Sequence, residues 1–196
     1  MAVKAPQIKK RRILDTARRM LVQRGFQNII LDDIAREAGV AKGTLFLHYR
    51  SKEDLFAAVF TDLMDQLGSE LDRVAASGLQ GRELLLETVR TILAHFDRNR
   101  DFTSHFAIER FPGCGNRVYG RLMERVARNR KTVVVILRRC AGEGAAFEDT
   151  EFAAIVLFGL CRSAMLYKAV HDKGRPLEAR APQVTAMFLN GAKGSR

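Results

Sequence analysis

The chain has 196 residues, 47% hydrophobic and 28% charged, which is the balance of a folded globular protein and excludes a disordered one. A net charge of +11 points to polyanionic partners, nucleic acid first and anionic membrane second, while three widely spaced cysteines (Cys114, Cys140, Cys161) exclude a disulfide framework and a cysteine-based zinc site. No run of about 18 uninterrupted apolar residues occurs and the N-terminus lacks the apolar block of a signal peptide, so a cytoplasmic protein with no membrane span is expected.

The charge is uneven. Up to Phe60 there are twelve Lys or Arg against six Asp or Glu, so +6 lies in under a third of the chain. Strand signals are almost absent, and apolar residues recur every three or four positions, as amphipathic helices require.

The first helix is expected from about Gln7 to Arg24. Ile13, Leu14, Ala17, Met20 and Leu21 form its inward stripe, and Gly25 suits the residue just past its end. Its basic start, Lys9, Lys10, Arg11 and Arg12, fits a phosphate or minor-groove contact as well as a solvated face. A short second helix covers about Asp32 to Ala38, with Ile34, Ala35 and Ala38 inward, and Gly39 ends it. A third runs from about Lys42 to Tyr49. Ser51 is placed to cap a fourth, which passes through Leu55, Phe56, Val59, Phe60, Leu63 and Leu67, with Asp54 three residues on.

"ASGLQGR" (Ala76–Arg82) reads as a linker. Beyond it, helices are expected at about Arg82–Arg98, Asp101–Arg110, Asn116–Ala141, Asp149–His171 and Pro176–Asn190. "TVVVILRRC" (Thr132–Cys140) has strand propensity but lies in a stretch without turn signals, so it reads as buried helix. Pro182 conflicts with a helix begun at Pro176 and moves its start toward Ala181.

Two short helices joined by "AGVA" make a helix-turn-helix, with Gly39 allowing the left-handed backbone that the turn needs. The second of the pair would enter a major groove about 12 Å wide. Ala41, Gly43 and Thr44 are small enough for close backbone approach. Lys42 and Thr44 can donate to phosphate or base edges, His48 and Tyr49 can reach phosphates, Leu45 faces inward, and Lys52 opens the next helix.

"LDDIAREAGVAKGTLFLHYRSKEDLFAAV", preceded by "ILDTARRMLVQRGFQNIIL", resembles the DNA-binding signature of TetR-type (tetracycline repressor-like) transcriptional regulators, in register from about Ile13 to Val59. The resemblance implies an all-α fold of about nine helices. Residues 1–55 would form a three-helix DNA-binding domain, and residues 56–196 a larger helical domain for ligand binding and dimerisation. It also implies a homodimeric repressor whose third helix reads a palindromic double-stranded operator, and which a small apolar or amphipathic ligand releases. Thr44, His48 and Lys52 are similar to family positions that touch DNA. Phe46 departs from the family's tyrosine and lacks the hydroxyl that meets a phosphate. Ile29 and Ile30 stand where the family often has Thr or Ser. The DNA-contacting set is thus Lys10, Arg11, Lys42, Gly43, Thr44, Phe46, His48, Tyr49 and Lys52.

For the C-terminal region, Phe96, Phe106, Phe111, Tyr119, Met123, Phe158 and Met165 are candidates for an apolar ligand cavity, though for any one of them an ordinary core position is the preferred reading. "EFAAIVLFGLCRSAML" (Glu151–Leu166) is apolar nearly all round and needs partners on more than one side. With "VTAMFLNG" (Val184–Gly191) it could build a four-helix interface across a two-fold axis, through Ile155, Gly159, Ser163, Val184 and Phe188. No nucleophile–base pair, carboxylate dyad, metal-ligand cluster or phosphate-binding glycine loop is readable, so neither an enzyme nor a cofactor or metal is expected.

Overall fold

In the computed structural model, residues 5–99, 116–140, 147–171 and 174–192 are described. They form eight α-helices: α1 (Ala5–Arg24), α2 (Leu31–Glu37), α3 (Lys42–His48), α4 (Lys52–Ala75), α5 (Gly81–Arg98), α6 (Asn116–Cys140), α7 (Thr150–His171) and α8 (Ala181–Ala192). One 3₁₀ turn, Leu177–Arg180, precedes α8, and no strand occurs among the described residues. The expected helix over residues 101–110 lies outside them. Two compact units divide at Leu63/Met64, within α4, and again at Glu124/Arg125, within α6.

In the first unit, the expected stripe of α1 is buried: Ile13, Leu14, Ala17, Met20 and Leu21 are all at 6% exposure or less. Ile29, Ile34, Ala35, Leu45, Leu55 and Phe56 are buried in the same unit, where α1 touches α2 and α2 touches α3. Phe26 meets Phe56 edge to face at 4.4 Å between ring centroids. Gly25, at φ +72°, ends α1 as expected, and the Asp54 N–H donates to Ser51 Oγ at 3.1 Å, which caps α4.

In the second unit α5 is the central element, in contact with α7, α8 and the 3₁₀ turn. Leu84, Leu85, Val89, Ile92 and Leu93 of α5 are fully buried. "TVVVILRRC" is helical, as expected, because Val133, Val134, Ile136 and Leu137 form a helix-spaced buried face that outweighs β-branched propensity. Arg139 donates to the carbonyls of Ala75, Ser77 and Leu79 and so satisfies the last residue of α4 and the turn that follows it. Pro182 is the second residue of α8, in its first turn, where its missing N–H breaks no intrahelical bond.

α7 is different. It buries Ala153, Ala154, Leu157 and Cys161 but leaves Phe152, Ile155, Val156, Tyr167 and Val170 exposed. With 22 residues and a mean hydropathy of 1.5, it is apolar enough by length and composition to cross a membrane. That property escapes a search for an unbroken apolar run. Its packing against α5 and α8 makes it a helix of the second unit with one face uncovered.

Candidate nucleic-acid interface

The turn between α2 and α3 is built from backbone alone. Gly39 N–H donates to the Arg36 carbonyl at 3.2 Å, and Val40 N–H to the Ala35 carbonyl at 3.0 Å. This is a Schellman closure, and it needs Gly39 in the left-handed region, where φ is +63°. A Cβ at Gly39 would also come within 2.7 Å of the Arg12 guanidinium. The exposed Arg12 side chain can swing away, so it is the positive φ that selects glycine, and the angle between α2 and α3 follows from this residue.

α3 is anchored by Leu45, at 0% exposure, and buries no other side chain. Lys42, Gly43, Phe46, Leu47 and His48 face solvent, and Thr44 is half-buried. One seven-residue helix therefore presents an ammonium, a bare backbone position, a hydroxyl, two apolar groups and an imidazole on a single outward surface. Such a surface can donate to base edges and phosphates and can touch a thymine methyl. Gly43 is informative because a Cβ there would meet nothing within 4 Å. Nothing inside the chain requires the glycine. Leu47, 86% exposed, belongs to this surface and was not among the residues expected from sequence. Its position, three residues after Thr44 and four after Gly43, was the available signal.

Several of the expected cations are held by the protein itself. Lys42 Nζ lies 2.7 Å from Asp32 Oδ2 and 5.7 Å from the centre of the Phe46 ring. Arg11 bonds both carboxylate oxygens of Asp62, at 3.2 and 3.1 Å, and also meets Asp15 at 3.3 Å. Lys10 is exposed. Lys52 is turned inward: its ammonium donates to the Phe26 carbonyl at 2.7 Å and sits 4.4 Å from the Phe26 ring centre. It therefore ties the start of α4 to the α1–α2 connection. Ile29 is buried and Ile30 exposed, and neither caps α2, which starts without a side-chain cap. A shallow cleft of about 510 Å³ lies among Ile29, Ile30, Asp32, Lys42, Phe46 and Lys52.

Tyr49 departs from expectation. Its side chain is 5% exposed, and its hydroxyl is buried without a hydrogen-bond partner among the described residues. Burial, with the Asp62 charge adding to it, pushes the phenol up to about 12. In this conformation Tyr49 is a core residue that closes α3 onto the unit and cannot meet a phosphate.

The described apolar candidates of the C-terminal region fall in both units. Phe106 and Phe111 lie outside the described residues, as does the side chain of Tyr119. Met123 is 37% exposed and belongs to the first unit. Phe96, Phe158 and Met165 are half-buried in the second. A groove of about 650 Å³ in the second unit is lined in part by charged groups, among them Glu70, Arg73, Glu87, Arg90, Arg98 and Glu178.

The expected dimer set divides in two. Ile155, Gly159 and Ser163 are exposed at successive four-residue steps, on one face of α7. Val184 and Phe188 are buried within the protomer at 5% and 3% exposure, so they have no surface to give a partner. Met187, 57% exposed, occupies the outer side of α8 instead.

Residues 13–59 match the model of the tetR family of bacterial regulatory proteins. Over 96 residues the chain is 31% identical to the HTH-type transcriptional repressor KstR2 of Rhodococcus jostii, a match that covers 49% of this chain and 45% of KstR2. The chain thus spans under half the length of that curated relative. In fold it is similar to the fatty acid degradation regulator FadR of Bacillus halodurans, with a TM-score of 0.82 and 21% identity over 98% of this chain and 99% of that one. It is also similar to FadR of Bacillus subtilis in complex with stearoyl-CoA, with a TM-score of 0.80 and 20% identity over 92% and 98% of the two chains.

Proposed function

This chain belongs to the TetR family of transcriptional regulators, and from that premise we propose that it is a homodimeric repressor that a small ligand releases from a palindromic operator. The observation that carries the DNA half of the proposal is α3 itself. It is anchored by Leu45 alone and offers Lys42, Gly43, Thr44, Phe46, Leu47 and His48 outward. One short helix reads too few base pairs for specificity, so two copies on adjacent half-sites must supply the rest.

The uncovered face of α7 supports the dimer. Phe152, Ile155, Val156, Tyr167 and Val170 expose apolar surface at helical spacing around Gly159 and Ser163. An apolar patch of that kind favours association, and a two-fold axis lets the same patch serve both copies. The inducer is proposed to be an amphipathic molecule with an apolar chain, held in the second unit near Phe96, Phe158 and Met165. Its chemistry is suggested by the stearoyl-CoA bound to the Bacillus subtilis relative.

The test is selection of bound sequences from a random duplex pool by the full chain, followed by titration of the winner and a scrambled control. A repressor of this kind enriches an inverted repeat, and Lys42→Ala and Thr44→Ala weaken the winner more than the control. Recovery of no common sequence would sink the reading and leave a charge-driven DNA-coating protein.

A further inference from the structure

We propose that Asp32 determines DNA specificity without touching DNA, by holding the Lys42 ammonium until a correctly placed base edge competes for it. The proposal deepens the DNA-binding function above and rests on it.

Lys42 is the first residue of α3, and Asp32 the second of α2. Their side chains meet at 2.7 Å across the open cleft, with 64% and 48% of their surfaces exposed. An ion pair so exposed contributes little to folding, because water screens it and two long side chains lose freedom. Stability therefore gives little reason for the pair itself, although the Asp32 carboxylate also suits the positive first turn of α2. Asp33 is already engaged with Arg36 and with Arg24, so Asp32 is not needed for that network. Lys42 itself meets Asp32 and the Phe46 ring, and the cleft is otherwise lined by Ile29, Ile30, Leu31 and Lys52, whose ammonium is committed to the Phe26 carbonyl.

The consequence is electrostatic. A lysine on a reading helix binds any phosphate as a point charge, and that raises affinity for all sequences alike. With Asp32 in place, exchanging the carboxylate for a phosphate replaces one anion by another and gains little. A base-edge acceptor in line with the Lys42 stem, with Phe46 beside it, offers a hydrogen bond where Asp32 can remain close as counter-charge. Asp32 thus removes the sequence-blind share of the Lys42 contact and leaves the sequence-dependent share.

The experiment measures binding of the full chain to a fluorescent scrambled duplex and to the selected inverted repeat, across a range of NaCl concentrations. Asp32→Asn should bind the scrambled duplex about five-fold more tightly, with a salt slope steeper by about 0.9, the value for one added phosphate neutralised. Its preference for the inverted repeat should fall by a similar factor. Asp32→Glu should behave as the parent. In a Lys42→Ala background, Asp32→Asn should change neither duplex. An unchanged slope for Asp32→Asn overturns the proposal. So does an equal gain with Lys42 absent, which would reassign the effect to overall charge. A parent chain that binds neither duplex overturns the DNA-binding function itself, an outcome distinct from both.

Discussion

Asn129 in α6 is locked against Gly68 in α4: its amide donates to the Met64 carbonyl at 2.9 Å, and its Oδ1 stands 2.7 Å from where a Gly68 Cβ would be. Asn129 is 4% exposed, so its polar atoms have little access to water. Gly68→Ala would add helix propensity worth about 1 kcal/mol. It would also drive Asn129 off its bond and orphan a buried amide, a cost of about 1–3 kcal/mol before any overpacking. The cost wins, so Gly68→Ala is expected to lower Tm. Asn129→Ala lowers it too, but adding Gly68→Ala to that variant should recover part of the loss. A Tm raised by Gly68→Ala alone would mean that Asn129 is free to turn.

Tyr49 carries a pH prediction. Its folded pKa, pushed up to about 12, exceeds the ordinary value of 10.0 for an unfolded phenol. The folded state therefore holds the proton after the unfolded state has lost it. The contribution is full below pH 10 and is lost as pH rises from 10 toward 12. Stability measured by denaturant across that window should fall less in Tyr49→Phe than in the parent. The same variant removes a buried hydroxyl without a partner, so its Tm at neutral pH should be unchanged or raised by a few degrees. Its DNA affinity should be retained. A large loss of affinity would restore Tyr49 to the DNA-contacting set.

Much of the first unit was legible because its signals are local. Gly25 and Gly39 mark helix ends, Ser51 caps the next helix, and the α1 stripe repeats at helical spacing. The placing of Tyr49 and Leu47 is carried by local spacing too: Tyr49 lies four residues after buried Leu45 and so on its inward side, whereas Leu47 stands on the outer side with Gly43 and Thr44. The pairing of Lys42 with Asp32 and of Arg11 with Asp62 was hidden, because partners 10 and 51 positions apart meet only once the helices are packed. In α8, Val184 and Phe188 share the spacing of an interface stripe and of a core stripe. Packing against α5 and α7 resolves them as core.

That resolution separates folding from association. Phe188→Ala should cost about 3–5 kcal/mol of protomer stability, the usual penalty for emptying a buried aromatic site. Ile155→Arg, on the uncovered face of α7, should leave helix content unchanged and convert the proposed dimer to a monomer in sedimentation equilibrium. Operator affinity should fall with it, because two half-sites are no longer gripped by one particle. A dimer mass that survives Ile155→Arg would move the interface off this face.

Gly43 sets stability against function most directly. It lies in the first turn of α3, without the positive φ that marks Gly25, Gly39 and Gly81. A methyl group there has open space on every side within the chain. Gly43→Ala should therefore stabilise the fold by about 0.5–1 kcal/mol, since alanine loses less backbone freedom in a helix. If α3 lies in the major groove, the same methyl stands between its backbone and the duplex. Displacing one well-formed base contact costs about 1–3 kcal/mol, so operator affinity should drop about ten-fold or more. A higher Tm together with weaker binding is the expected pair of results. A higher Tm with unchanged binding would show that no duplex approaches α3 at its start, and the reading surface would then have to be sought at Leu47 and His48.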